Sequence, residues 1–180
     1  MFAAKQFTLR RLAAAAVAAA ALAAPGQALA NGCPNENANP NVVGPTKAKI
    51  ATLCLLNQDR RARHLRPLAF NHKLSVAAHR HARSMASRNY FAHGDFVGRI
   101  RAAHYFTGAR SWTVGENIAW GSWNFATPAS INDGWMHSPK HKANILSRQF
   151  REIGIGVADG APVGGERFGA TYATDFGARG

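Results

Sequence analysis

The chain has 180 residues and carries 22 Lys and Arg against nine Asp and Glu, a formal charge of +13. That length gives one domain with a core of its own, and no apolar run reaches the ~20 residues that a membrane-spanning helix needs. The charge favours anionic partners such as acidic headgroups or wall polymers, but its basic residues are scattered, without a dense run or an interleaved aromatic platform, which argues against nucleic acid.

The opening "MFAAKQFTLRRLAAAAVAAAALAAPGQALANG" places Lys5, Arg10 and Arg11 before an apolar run from Leu12 to Ala24, then Ala28-Leu29-Ala30. Basic, apolar and small-x-small segments in that order predict a secretory signal peptide over 1–30, cleaved after Ala30. Twin-arginine export through Arg10-Arg11 and lipidation of Cys33 are weaker readings, because the flanking residues do not support them. Cleavage would leave 19 basic and nine acidic residues, a charge of +10. The expected destination is extracellular or periplasmic. There the two cysteines, Cys33 and Cys54, are expected to form a disulfide, which would tie a loose arm to the first helix.

Residues 31–46, "NGCPNENANPNVVGPT", are rich in Asn, Pro and Gly and read as a surface arm without an element. From there to residue 180 the chain reads as one domain. Ile50, Leu53, Cys54, Asn57 and Arg61 recur at helical spacing, predicting a helix over 47–63 with that face inward. Asn71 caps a second helix ending near Asn89, in which Leu74, Ala78, His81 and Met85 share the apolar side. His81 is read there as a core histidine and left out of any site.

"FVGRIRAAHYF" reads as a short helix, and "TGARSWTVGENIAWGSWNFA" as a loop leading into apolar structure. Thr127-Pro128 and Ser138-Pro139 mark two further helix starts, with Ser138 as a cap. Ile153, Ile155 and Val157 alternate, as do Phe168, Ala170, Tyr172 and Thr174, predicting two strands joined by a Gly-rich turn. Helices first and strands late imply an α+β domain with helices packed on an antiparallel sheet.

Three segments put a titratable group inside an aromatic or glycine-rich frame: "NYFAH" ending at His93, "GENIAWG" with Glu116, and "GWMHSPKHKANIL" with His141. A carboxylate at Glu116, where the chain is expected to turn from loop to core, needs partners if buried, and histidines are natural ones. Ser138-Pro139 separates His137, at the end of one helix, from His141 inside the next, so His137 reads as surface or cap. Trp120 and Trp135 read as packing.

These motifs, together with "LNQDRRARHLRPLAFNHKLSVAAHRHARSMA", "EIGIGVA" and "YATDFG", resemble in order the CAP superfamily of cysteine-rich secretory, antigen-5 and pathogenesis-related proteins, in its bacterial secreted branch. The resemblance spans about residues 47–177. It implies a three-layer α-β-α sandwich around a largely antiparallel sheet, and a cleft lined by two histidines and two glutamates. His93, Glu116 and His141 match three of those four. Ser138, in "WMHS", stands where relatives with the full set carry the other glutamate. Asn117 and Asn144 fit hydrogen-bonding roles beside the cleft.

No cofactor is required by this pattern, but His93 and His141 could hold a divalent metal such as zinc, with Glu116 as a third ligand or as a base on bound water. A buried His/Glu hydrogen-bond network without metal is the competing reading. No serine sits in a G-x-S-x-G elbow and neither cysteine is free to attack, so the expectation leans away from an enzyme. It is of a secreted, non-enzymatic binding module whose cleft takes a small or lipidic ligand or a cell-envelope partner. The alternatives are a metal-dependent hydrolase acting on an extracellular or cell-wall substrate, and a structural protein held to anionic envelope polymers.

Overall fold

The protein's structure, a computed structural model, describes residues 32–180; the leader expected at 1–30 lies outside the described residues. Its elements run α1 (Pro40–Val43), α2 (Pro45–Arg61), β1 (Ala69–Phe70), α3 (His72–Arg88), α4 (Phe96–Ala102), β2 (Trp112–Ser122), a 3-10 turn (Trp123–Ala126), α5 (Pro128–His137), α6 (Pro139–Ile145), β3 (Glu152–Asp159) and β4 (Gly169–Arg179). Local chemistry sets most of the helix starts. Proline opens α1, α2, α5 and α6, where its missing N–H costs nothing. Asn71 accepts from the Lys73 and Leu74 amides, Asp95 from Gly98 and Thr127 from Ser130. Ser138 makes no side-chain cap bond, so Pro139 alone marks that start. Asn89 ends α3 in the left-handed conformation, φ 52°, which asparagine tolerates better than most residues.

The sheet has the order β1-β3-β4-β2. β4 pairs antiparallel with both β3 and β2, and the two-residue β1 joins β3 in parallel. Strand alternation separates the two faces. On one, Ile153, Ile155 and Val157 of β3 and Tyr172 and Phe176 of β4 pack with Leu56 of α2, Trp135 of α5 and Ile145 of α6. On the other, Gly154 and Gly156 let the α3 backbone lie directly on the sheet: a Cβ at either position would stand 2.0 Å from the Leu74 carbonyl carbon or 2.3 Å from that of Ala78. The arrangement is helix, sheet, helix in three layers, as expected.

Four expectations are corrected. The inward face of α2 is Ala48, Ala51, Thr52, Leu56, Asn57 and Arg60, while Ile50 is 57% exposed and Arg61 is exposed. Small Ala48 and Ala51 admit the helix close to the sheet, and this close packing outweighs apolar spacing. Residues 112–122 are a strand, not a loop; Gly115, Glu116, Asn117 and Gly121 hide it by breaking the alternation that marks strands. Phe168 precedes β4 with φ 51°. Of the segment read as a loose arm, residues 40–43 form α1, and Asn39 and Asn41 dock it on the sheet end.

Asn39 Nδ2 donates to the Trp123 and Phe168 carbonyls at 2.8 and 3.0 Å, and Asn41 Nδ2 to that of Gly169 at 2.8 Å. The Cys33–Cys54 disulfide is formed, across a sequence separation of 21. Closing such a loop contributes about 3 kcal/mol in the chain-entropy view.

Candidate functional site

β2 is an edge strand of the sheet, and its alternation divides the site between the two helical layers. Glu116 points to the α3 side with Ile118, whose side chain packs on Ala82 and Met85. Asn117 points to the α6 side. The Glu116 side chain is 1% exposed, and both its oxygens are engaged: Nδ1 of His93 stands 2.8 Å from Oε1, and Nη2 of Arg99 donates to Oε2 at 2.6 Å. The same Arg99 nitrogen donates to the His93 carbonyl at 2.7 Å. One guanidinium, aimed by the short helix α4, thus fixes both the carboxylate and the chain that carries the histidine. Because the carboxylate accepts, Nδ1 of His93 carries the proton in this contact.

Behind this pair lies a buried titratable group on each of two further elements. His81 of α3 places Nε2 3.9 Å from Glu116 Oε2. Asp175 of β4 is directly opposite Glu116 in the antiparallel register and has no exposed surface. Among the described residues His81 Nε2 and Arg99 Nε have no hydrogen-bond partner. Burial, and then the Glu116 charge, pushes the Asp175 carboxyl well above its usual range. Burial pushes His81 down, and Arg99 adds to that, against an opposing pull from Glu116. Both groups are therefore kept neutral, so the buried charge reduces to the Glu116–Arg99 pair. That is the arrangement in which desolvating ions is least costly.

The α6 side is tied to the same strand. Asn144 Nδ2 donates to the Glu116 carbonyl at 3.1 Å and to Asn117 Oδ1 at 2.8 Å, and Asn117 Nδ2 donates to the His141 carbonyl at 3.0 Å. Gly115 is needed for this approach: a Cβ there would meet the Phe150 ring at 2.9 Å and Asn144 Oδ1 at 3.0 Å. Burial, reinforced by His93, lowers the His141 pKa and keeps its imidazole neutral. His93, Phe96, Glu116, Ser138, Lys140 and His141 are among the residues around a cleft of about 530 Å³. A second hollow of about 340 Å³, lined chiefly by Trp120, Phe125, Ile131 and Trp135, shares Ser138 and His141 with it.

His93, Glu116, Asn117, His141 and Asn144 are thus brought to one place, from both layers of helices. His137 is not among them; its side chain is 78% exposed and its Nδ1 meets Asp133. Trp135 is buried packing whose Nε1 donates to the Ile118 carbonyl.

Sequence reasoning missed three residues. His81, which it assigned to the core, is buried as that reading required but lies against Glu116. Arg99 gave no signal among the scattered basic residues. Asp175 carried one, a carboxylate within an otherwise apolar strand, inside the quoted "YATDFG". A zinc centre with three protein ligands does not fit: Glu116 is taken by Arg99 and His93, and among the described residues no group of three or more His, Cys, Asp or Glu could hold a metal ion.

Comparison with known proteins bears on the family and the fold. The family model CAP, the cysteine-rich secretory protein family, matches residues 53–172. The uncharacterized protein YkwD of Bacillus subtilis (strain 168) is 31% identical over 130 residues, 72% of this chain and 49% of YkwD. Among solved structures, an extracellular protein of Bacillus anthracis containing an SCP domain superposes with a TM-score of 0.59 at 25% identity, over 74% of this chain and 41% of that one. An outer surface protein of Borrelia burgdorferi shares the fold, with a TM-score of 0.57 at 18% identity over 71% of this chain and 90% of that one. The chain spans about half the length of YkwD and less of the anthrax protein. No helix among the described residues is long and apolar enough to cross a membrane. With the family model covering two thirds of its length, the chain belongs to the CAP family of cysteine-rich secretory proteins.

Proposed function

We propose that this chain is an exported, non-enzymatic binding module whose cleft beside His93, Glu116 and His141 takes a small or lipidic ligand or an envelope partner. The observation that carries this reading is the engagement of Glu116. With Oε1 on His93 and Oε2 on Arg99, the carboxylate anchors the wall of the cleft and is not poised to take a proton. The apolar hollow that shares Ser138 and His141 with the cleft suits a ligand with both polar and apolar parts. The test is displacement of a fluorescent fatty-acid probe from the purified chain. Saturable binding, weakened about tenfold in His141→Ala, about 1.4 kcal/mol, is expected. Cleavage of peptide or wall polymers that disappears in His141→Ala would overturn it.

A second reading has its own support. His141 is held neutral by burial, and His93, with Nδ1 committed to Glu116, has Nε2 left to ligate; a carboxylate behind a histidine is a common orienting partner in metal sites. A divalent ion on these two imidazoles would serve as an anchor for an anionic ligand. Zinc calorimetry at about pH 7.5 decides it: binding should weaken at about pH 5.5, where protons compete for imidazole, and binding unchanged in His93→Ala/His141→Ala would sink it.

A further inference from the structure

A separate cavity of about 230 Å³ lies where the turn after α2 meets the segment between α6 and β3, lined by Arg60, His64, Leu65, Arg66, Arg148 and Arg151. It shares no lining residue with the His93/His141 cleft. None of its lining residues is acidic, and none of its arginines forms an ion pair among the described residues.

Arg60 is 1% exposed. Its Nε donates to the Arg66 carbonyl at 2.9 Å and its Nη1 to those of Ile145 and Ser147 at 2.6 and 2.9 Å. Those carbonyls satisfy hydrogen bonds but supply no full negative charge. Burying a guanidinium without a counter-charge is costly, and both burial and the Arg151 charge push the Arg60 pKa down.

Arg151 in turn donates through Nη1 to the Arg148 and Phe150 carbonyls. The one carboxylate next to it in sequence, Glu152, accepts from Tyr105 and Asn71 at 2.7 Å and lies 3.5 Å from Arg179. Arg66, Arg148 and Arg151 are exposed.

We propose that this cavity is an anion site for the phosphate group of a phosphate ester or phosphodiester. A carboxylate is satisfied by the fork of one guanidinium. Four arginines, from α2, the turn after it and the segment before β3, line a volume that suits a tetrahedral, multiply charged anion accepting from several directions. The occupant supplies the counter-charge that Arg60 lacks.

The test is calorimetry of the full chain with inorganic phosphate at low ionic strength, comparing the wild type with Arg148→Ala/Arg151→Ala and with Arg83→Ala/Arg88→Ala. The last pair removes equal charge from an exposed part of α3. Saturable phosphate binding that weakens tenfold or more in the first variant, and less than twofold in the second, supports the site. Absence of saturable binding, or equal loss in both variants, overturns it. If Arg148→Ala/Arg151→Ala melts far below the wild type, Arg66→Ala carries the comparison, with about fivefold weakening expected and no change overturning the site.

Vesicles of phosphatidylglycerol in phosphatidylcholine identify the source. Binding that follows the same variant order supports the site with lipid headgroups as a source. Phosphate binding without vesicle binding supports it with a soluble ester as the source.

Discussion

The two faces of the sheet are held by different means. The face toward α2, α5 and α6 is apolar, built from Ile153, Ile155, Val157, Tyr172, Phe176 and Trp135, and its two polar handles are satisfied: the Tyr172 hydroxyl donates to the Ala126 carbonyl at 2.8 Å and Trp135 Nε1 to that of Ile118 at 3.2 Å. The face toward α3 and α4 uses glycine and alanine to bring a helix backbone onto the sheet. Across that face the register aligns Gly154, Asp175 and Glu116 in one row. Close backbone packing at Gly154 leaves no space for a side chain there, and the row continues into the titratable Asp175 and Glu116, with Ile118 and Met85 packed beside it. The first face is thus held chiefly by apolar burial, while the second also buries the neighbouring carboxyl groups of Glu116 and Asp175.

The largest expected effect breaks the apolar face. Trp135→Ala should cost about 3–5 kcal/mol, read as a lowered denaturant midpoint; a loss below about 1 kcal/mol would mean that face is not the stabilising one. Next, Gly156→Ala drives a Cβ into the Ala78 backbone and should cost about 1–3 kcal/mol, the range for overpacking. A neutral outcome in thermal denaturation would show that α3 is not seated on the strand.

The third effect has the opposite sign. The Asp175 carboxyl has its folded pKa raised by burial, so the folded state holds a proton that the unfolded chain releases above about pH 3.9. Relative to Asp175→Asn, the wild type should therefore lose stability as pH rises above about 4. Parallel Tm-against-pH curves for the two proteins would place the proton elsewhere.

The smallest effect is that of the histidines. His79, His81 and His141 are all lowered first by burial. The stability they contribute is present above the ordinary histidine value of about 6.5 and is lost as pH falls below it. In the Asp175→Asn background, melts between about pH 7.5 and 5 should show this decline alone, and a rising Tm over that range would contradict it.

The starts of α3, α5 and α6 were legible because they are local: Asn71, Thr127-Pro128 and Ser138-Pro139 act within four residues. β3 and β4 were legible through Ile153-Ile155-Val157 and Ala170-Tyr172-Thr174. β2 was not, since its glycines and polar residues are chosen for contacts with Asn144, Phe150 and Arg99 from elsewhere in the chain. The inward face of α2 was misjudged for a related reason: Ala48 and Ala51 are buried by their smallness, which hydrophobic spacing does not register.

By itself, the sequence determined the three motifs that carry His93, Glu116 and His141, the split between His137 and His141 at Ser138-Pro139, the pairing of its two cysteines and the helix-then-strand order. Each depends on residue type and short spacing. Only the tertiary structure decided that Arg99 holds both Glu116 and His93, that Asp175 and His81 stand behind them, and that four arginines surround a cavity without a carboxylate. Those arrangements depend on strand register and helix docking, where residues far apart in the chain meet and burial sets which of them stay charged.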